Sequence, residues 1–156
     1  MKQPTTVERT SDRELVVTRT FDAPARLVFD AWTTPALFKQ WWAPRSMGMS
    51  LVECEIDART GGTYRLVFAH GDAPPMAFFG RYLEVTPYAR LVWTNDDAGE
   101  DGQITTVTFE ERDGTTLLVM RERYPSKDAL DAAGTGAADA LAETFSQLDE
   151  LLVPAS

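Results

Sequence analysis

Residues 49–70 read MSLVECEIDARTGGTYRLVFAH. In the first half Val52, Cys54 and Ile56 alternate with Glu53, Glu55 and Asp57. A period of two marks a strand with one buried and one wet face. In the second half Tyr64, Leu66 and Phe68 alternate with Thr63 and Arg65, which turns the aromatic side inward. The intervening "RTGG" is a hairpin turn, because glycine accepts positive φ without strain. The same texture runs downstream through "MAFFGRYLEV" (76–85), "LVWTN" (91–95), "QITTVTFEE" (103–111) and "TLLVMRERY" (116–124), each closed by a polar or Gly/Pro-rich turn. Upstream, the β-branched "ELVVTRTF" (14–21) adds one more strand. Short turns between successive strands imply antiparallel neighbours in one sheet of about seven strands.

The helical signals flank that sheet. After "DAP" (22–24), Val28, Phe29 and Trp32 recur at helical spacing, with Asp22 as a candidate cap. "TTP" (33–35) interrupts, and a second short helix over 35–42 carries Leu37, Phe38, Trp41 and Trp42. Adjacent residues cannot share one helix face. One of Trp41 and Trp42 is therefore expected inside, and the other at a cavity entrance or on the surface. The C-terminal stretch predicts a helix over 127–152, with Leu130, Leu141, Phe145, Leu148 and Leu152 at three- to four-residue steps. Gly134 and Gly136 weaken its beginning. The resulting fold class is α+β. A curved antiparallel sheet is wrapped on a long C-terminal helix, which is the one element long enough to cover its apolar face. The two short helices plug one end. A curved sheet and a straight helix leave space between them.

The chain has 156 residues, 44% hydrophobic and 25% charged, the composition of one globular domain. Residues 1–13 show no periodic pattern and are expected as a flexible tail, leaving a single domain over 14–153. The net charge of −9 argues against nucleic-acid binding and against anionic membrane surfaces. Neither a membrane-spanning run nor a signal-peptide pattern is visible, so membrane insertion is not expected and a cytoplasmic location is. The single histidine, His70, and single cysteine, Cys54, fall short of a transition-metal ligand set. No cofactor motif and no catalytic constellation stand out.

Several strings in order, "TRTFDAPARLVFDAWTTP", "FKQWWAP", "ECEIDARTGGTYRL", "GRYLEVTPYARLVWT", "VTFEERDGTTLLV" and "ETFSQLDELL", resemble the activator of Hsp90 ATPase homologue 1-like (AHSA1-like) family. That family belongs to the START/Bet v 1-like helix-grip superfamily, also called SRPBCC. The likeness covers residues 14–152. The resemblance implies the helix-grip fold. It leaves function open, because relatives bind lipids or hormones, assist a chaperone or catalyse cyclisation.

Strand parity and helix spacing select the cavity-lining candidates. They are Trp41, Trp42, Tyr64, Leu66, Phe68, Phe78, Tyr82, Trp93, Val107, Phe109, Leu141 and Phe145. Taking Leu117 and Val119 as inward puts Arg121 on the same side, and taking Phe78 and Tyr82 as inward does the same for Glu84. These two charges are the candidate polar handles. Gly80 marks a possible bulge. Three function classes follow. The leading one is enclosure of an apolar, lipid-like or aromatic small molecule, with no cofactor or metal. The second is a chaperone-associated protein acting through its surface, with a homodimer contact also open. The third is a cyclase- or hydrolase-type enzyme using the same cavity.

Overall fold

A computed structural model describes residues 5–42, 48–72, 74–95 and 103–152, with the side chains of Met49, His70, Ala129 and 132–142 outside the described set. Eight strands and three helices follow in chain order. They are β1 (Thr6–Arg9), β2 (Glu14–Phe21), α1 (Ala25–Thr33), α2 (Pro35–Trp41), β3 (Met49–Ile56), β4 (Thr63–His70), β5 (Met76–Thr86), β6 (Arg90–Thr94), β7 (Ile104–Arg112), β8 (Thr115–Arg123) and α3 (Lys127–Leu152). The strands form one curved sheet in the order β1-β2-β8-β7-β6-β5-β4-β3, every pair antiparallel. This is the α+β helix-grip architecture.

β1 lies inside the stretch read as a patternless tail. Its four residues are mostly exposed, and it holds by edge pairing, Thr6 to Thr18 through Arg9 to Leu15. A strand this short, with little apolar face, leaves no period-two signal to read.

Turn chemistry follows the sequence closely at one hairpin. Asp113 and Gly114 both take positive φ, 55° and 81°, between β7 and β8. Two successive left-handed residues make the turn whose twist matches the flanking strands, and Asp-Gly is its characteristic pair.

Two bulges bend the sheet. In β3 the register shifts between Leu51 and Glu53, so Val52 is the extra residue and points outward, 54% exposed. The expected inward set of Val52, Cys54 and Ile56 becomes Leu51, Cys54 and Ile56. In β5 the shift falls between Tyr82 and Glu84, with Leu83 as the extra residue. Gly80 is therefore not the bulge. It is a close-approach site, where a Cβ would lie 1.8 Å from the Thr94 carbonyl oxygen.

The helices close the sheet at one end. Asp22 does not cap α1. Instead the Ala25 N–H donates to the Glu111 carboxylate of β7 at 2.8 Å, an anion at the positive end of the helix. Pro35 opens α2, where its missing N–H costs nothing. Phe21, Val28, Trp32, Trp41, Phe145 and Leu148 are sealed beneath them, each no more than 2% exposed.

Candidate functional site

The aromatic end and the inner face of the sheet meet at Trp32. Its ring touches those of Phe38, Trp41, Trp42, Trp93, Phe109 and Phe145, with centroids 4.9–6.4 Å apart. Trp41 is wholly buried and donates its indole N–H to the Ala31 carbonyl at 2.9 Å. Trp42 is half-buried and stacks on Phe38. The adjacent tryptophans thus divide as helix geometry requires.

The second half of α3 is fastened to this end. Gln147 Nε2 donates to the Trp41 carbonyl at 2.9 Å, and the Thr144 hydroxyl donates to the Trp42 carbonyl. Arg19, on the inner face of β2 and 3% exposed, pairs with Asp149 of α3, donates to the Thr5 hydroxyl and lies over the Phe21 ring. Arg19 was missed in the sequence, although it shares parity with Val17 and Phe21 and therefore had to face inward.

Away from that end the inner face is less fully covered. Cys54 and Ile56 of β3, Phe78 and Val85 of β5 and Trp93 of β6 pack against the core while staying half-buried, as Trp42 does at the rim of the aromatic end. Tyr64, Leu66, Phe68, Tyr82 and Phe109 are buried beside them at 5–8% exposure. Aromatic pairs Tyr64–Tyr82, Phe68–Phe78 and Tyr82–Trp93 tie the strands edge to face. The Tyr64 hydroxyl is held by the Thr94 carbonyl at 2.6 Å and by Asn95 at 2.5 Å. The Tyr82 hydroxyl has no hydrogen-bond partner among the described residues, and burial pushes its pKa up. Burial likewise raises the Cys54 thiol to about 11, against the pull of Lys39.

Eight of the lining candidates therefore sit together on the inner face or its rim: Trp42, Tyr64, Leu66, Phe68, Phe78, Tyr82, Trp93 and Phe109. Trp41, Val107 and Phe145 are fully sealed, so they brace the face and do not line open space. The Leu141 side chain lies outside the described residues.

Both polar handles point away from the interior. Arg121 is 53% exposed and pairs with Glu14, while Glu84 is 45% exposed and pairs with Arg90. For Glu84 the reason is the bulge at Leu83, which reverses parity after Tyr82. For Arg121 the reason is that Leu118 and Met120 occupy the core and Leu117 and Val119 do not. The sequence held the signal: Arg121 and Arg123 share one parity, and two guanidinium groups side by side on one strand face belong to the wet side.

The inward carboxyl is instead Glu122, 8% exposed. The Tyr124 hydroxyl, at 2.8 Å, and the Gln103 amide both donate to its Oε2. Burial raises its pKa above the ordinary carboxylate range, and these two donors only partly offset that.

The model of the family described as Activator of Hsp90 ATPase homolog 1-like protein matches residues 22–153. The chain belongs to this family. Its fold is shared with a crystal structure from Rhodobacter sphaeroides, 26% identical over 95% of this chain and 97% of that one, TM-score 0.87. A solution structure from Staphylococcus epidermidis is 26% identical over 97% of each chain, TM-score 0.81. A solution structure of an AHSA1-like protein from Aeromonas hydrophila, 19% identical over 90% of this chain and 97% of that one, matches in fold with a TM-score of 0.71. No curated protein matches the sequence. Among the described residues, no helix is long and apolar enough to cross a membrane.

Proposed function

We propose that this AHSA1-like chain binds an apolar small molecule against the inner face of its sheet, beneath α3. The observation carrying this reading is the run of inward apolar side chains left half-buried: Trp42, Cys54, Ile56, Phe78, Val85 and Trp93. Side chains that face a core and remain partly uncovered offer free apolar surface, worth roughly 25 cal/mol per Å² when a ligand removes it from water. The arrangement is enclosing rather than catalytic. Its neighbours are ring faces, and its thiol stays protonated at neutral pH.

A neutral solvatochromic dye such as Nile red tests this with the full chain. The reading expects saturable binding of one dye per chain and quenching of tryptophan fluorescence. Phe78→Arg should abolish binding while the chain still melts cooperatively, because a charge there must be desolvated against the dye. Undiminished binding to folded Phe78→Arg sinks the assignment.

A second reading has its own observation. Val52, Phe79 and Leu83 stand exposed on the outer face, at 54%, 45% and 45%. If dye binding survives Phe78→Arg but is lost in Phe79→Arg, the outer surface is the working one, as in a chaperone-associated protein.

A further inference from the structure

One unbroken row of directly opposed residues crosses the inner face. Tyr82 opposes Trp93, Trp93 opposes Thr105, Thr105 opposes Glu122, and Glu122 opposes Leu15. Opposed residues in an antiparallel ladder project to the same side. Trp93 is half-buried and the other four are buried, so the row lies on the inner side throughout. It begins at the free Tyr82 hydroxyl and runs to the Glu122 carboxyl. Glu122 is the one buried acidic side chain among the described residues.

The two oxygens of Glu122 have different surroundings. Oε2 receives both the Tyr124 hydroxyl and the Gln103 amide. Oε1 has no hydrogen-bond partner among the described residues. The fully enclosed polar side-chain atoms without partners there are Arg19 Nε and Trp32 Nε1, and Glu122 Oε1 is not one of them. Oε1 is therefore not fully enclosed. No arginine or lysine pairs with this carboxyl among the described residues. With two donors already on Oε2, the acid proton belongs on Oε1, where it can be donated outward. Burial favours that neutral form. Over this end of the row α3 begins: Leu130 packs on Leu15 and Tyr124.

We infer that Glu122 is the polar anchor of the binding face, presenting Oε1–H to a hydrogen-bond-accepting oxygen of a neutral, otherwise apolar ligand such as an aryl or alkyl ketone. Tyr124 and Gln103 act as positioning residues that hold Oε2 and leave Oε1 directed at the ligand. The inference rests on the binding reading above and adds the ligand's chemical class. A hydrocarbon of the same shape leaves Oε1–H unsatisfied, and an ammonium ligand requires the carboxylate form instead.

Three matched probes separate these cases: 2-acetylnaphthalene, 2-ethylnaphthalene and 1-(2-naphthyl)ethylammonium. Affinities for the full chain are read from tryptophan quenching. The inference expects the ketone to bind about tenfold more tightly than the ethyl compound, the size of one net hydrogen bond. Glu122→Leu should remove the preference while keeping affinity for the ethyl compound. Should Glu122→Leu fail to fold, the carbonyl-¹³C-labelled ketone supplies the second readout on the unaltered chain. Its carbonyl stretch should fall on binding to a lower wavenumber than in hexane, as hydrogen bonding weakens the C=O bond. Equal affinity for ketone and ethyl compound, with no carbonyl shift, overturns the anchor and leaves the apolar face intact. Preference for the ammonium probe overturns the neutral-acid assignment. Failure of every probe to bind overturns both this inference and the binding reading.

Discussion

The two ends of the inner face are built from the same kinds of residue and differ in how completely they are covered. At the end closed by α1, α2 and the second half of α3, Trp32, Trp41, Phe21 and Phe145 are sealed, and the backbone is tied by Gln147, Thr144 and the Arg19–Asp149 pair. Along β5 and β6 the rings of Phe78 and Trp93, with Trp42 at the rim of the sealed end, reach the same core and stay half-buried. Aromatic content alone therefore does not mark a binding site. Incomplete coverage of inward residues is what the proposed binding face rests on, since a sealed ring has already yielded its hydrophobic free energy to folding.

The contrast should appear first in stability. Trp41→Ala removes a fully buried ring and its indole hydrogen bond, so it should cost roughly 3–5 kcal/mol in denaturant unfolding. Trp93→Ala, at a half-covered position, should cost clearly less and weaken dye binding instead. Equal losses from the two variants would erase the distinction. Asp149→Ala comes next. It strands a guanidinium that is 3% exposed, and breaking such a pair costs about 3–5 kcal/mol when the charge stays dry. An accompanying Arg19→Met should recover much of the loss, because no uncompensated charge then remains. No recovery would mean that Arg19 acts through its packing on Phe21.

Smaller effects sharpen the other side. Glu122 has a folded pKa raised above its unfolded value, so over the interval between the two the folded state binds the extra proton. Stability must then fall as pH rises through that interval, opposite to the usual trend for a paired carboxylate. Glu122→Gln should flatten this segment of the stability profile, read as unfolding midpoints across the acidic range. A profile unchanged by the substitution would place the proton elsewhere. Cys54, with its thiol raised to about 11, should react with iodoacetamide at neutral pH far more slowly than a free thiol, and faster only on unfolding.

The sheet, the three helices and the lid were legible because each depends on a local period or a turn residue, as Asp113-Gly114 shows. The division of Trp41 and Trp42 followed from helix geometry. What escaped was parity across a bulge. One extra residue at Val52 or Leu83 puts the two parts of its strand out of phase, and neither site carries a glycine to announce it. Glu84 reads as a polar handle for that reason. Glu122 was passed over for a different one: "TLLVMRERY" offers apolar residues at both parities, and only the arginine pair breaks the tie. β1 was illegible because an edge strand with exposed side chains depends on pairing and not on pattern.

The most direct test of the binding face is the response of the four indole N–H signals in a ¹H–¹⁵N correlation spectrum of the full chain titrated with 2-acetylnaphthalene. With assignments from single Trp→Phe variants, the Trp93 and Trp42 signals should move in a saturable manner. The Trp41 signal, fixed on the Ala31 carbonyl, should stay nearly still. Static Trp93 and Trp42 signals, with the backbone amides of Phe79 and Leu83 moving in their place, would contradict the account and transfer binding to the outer face.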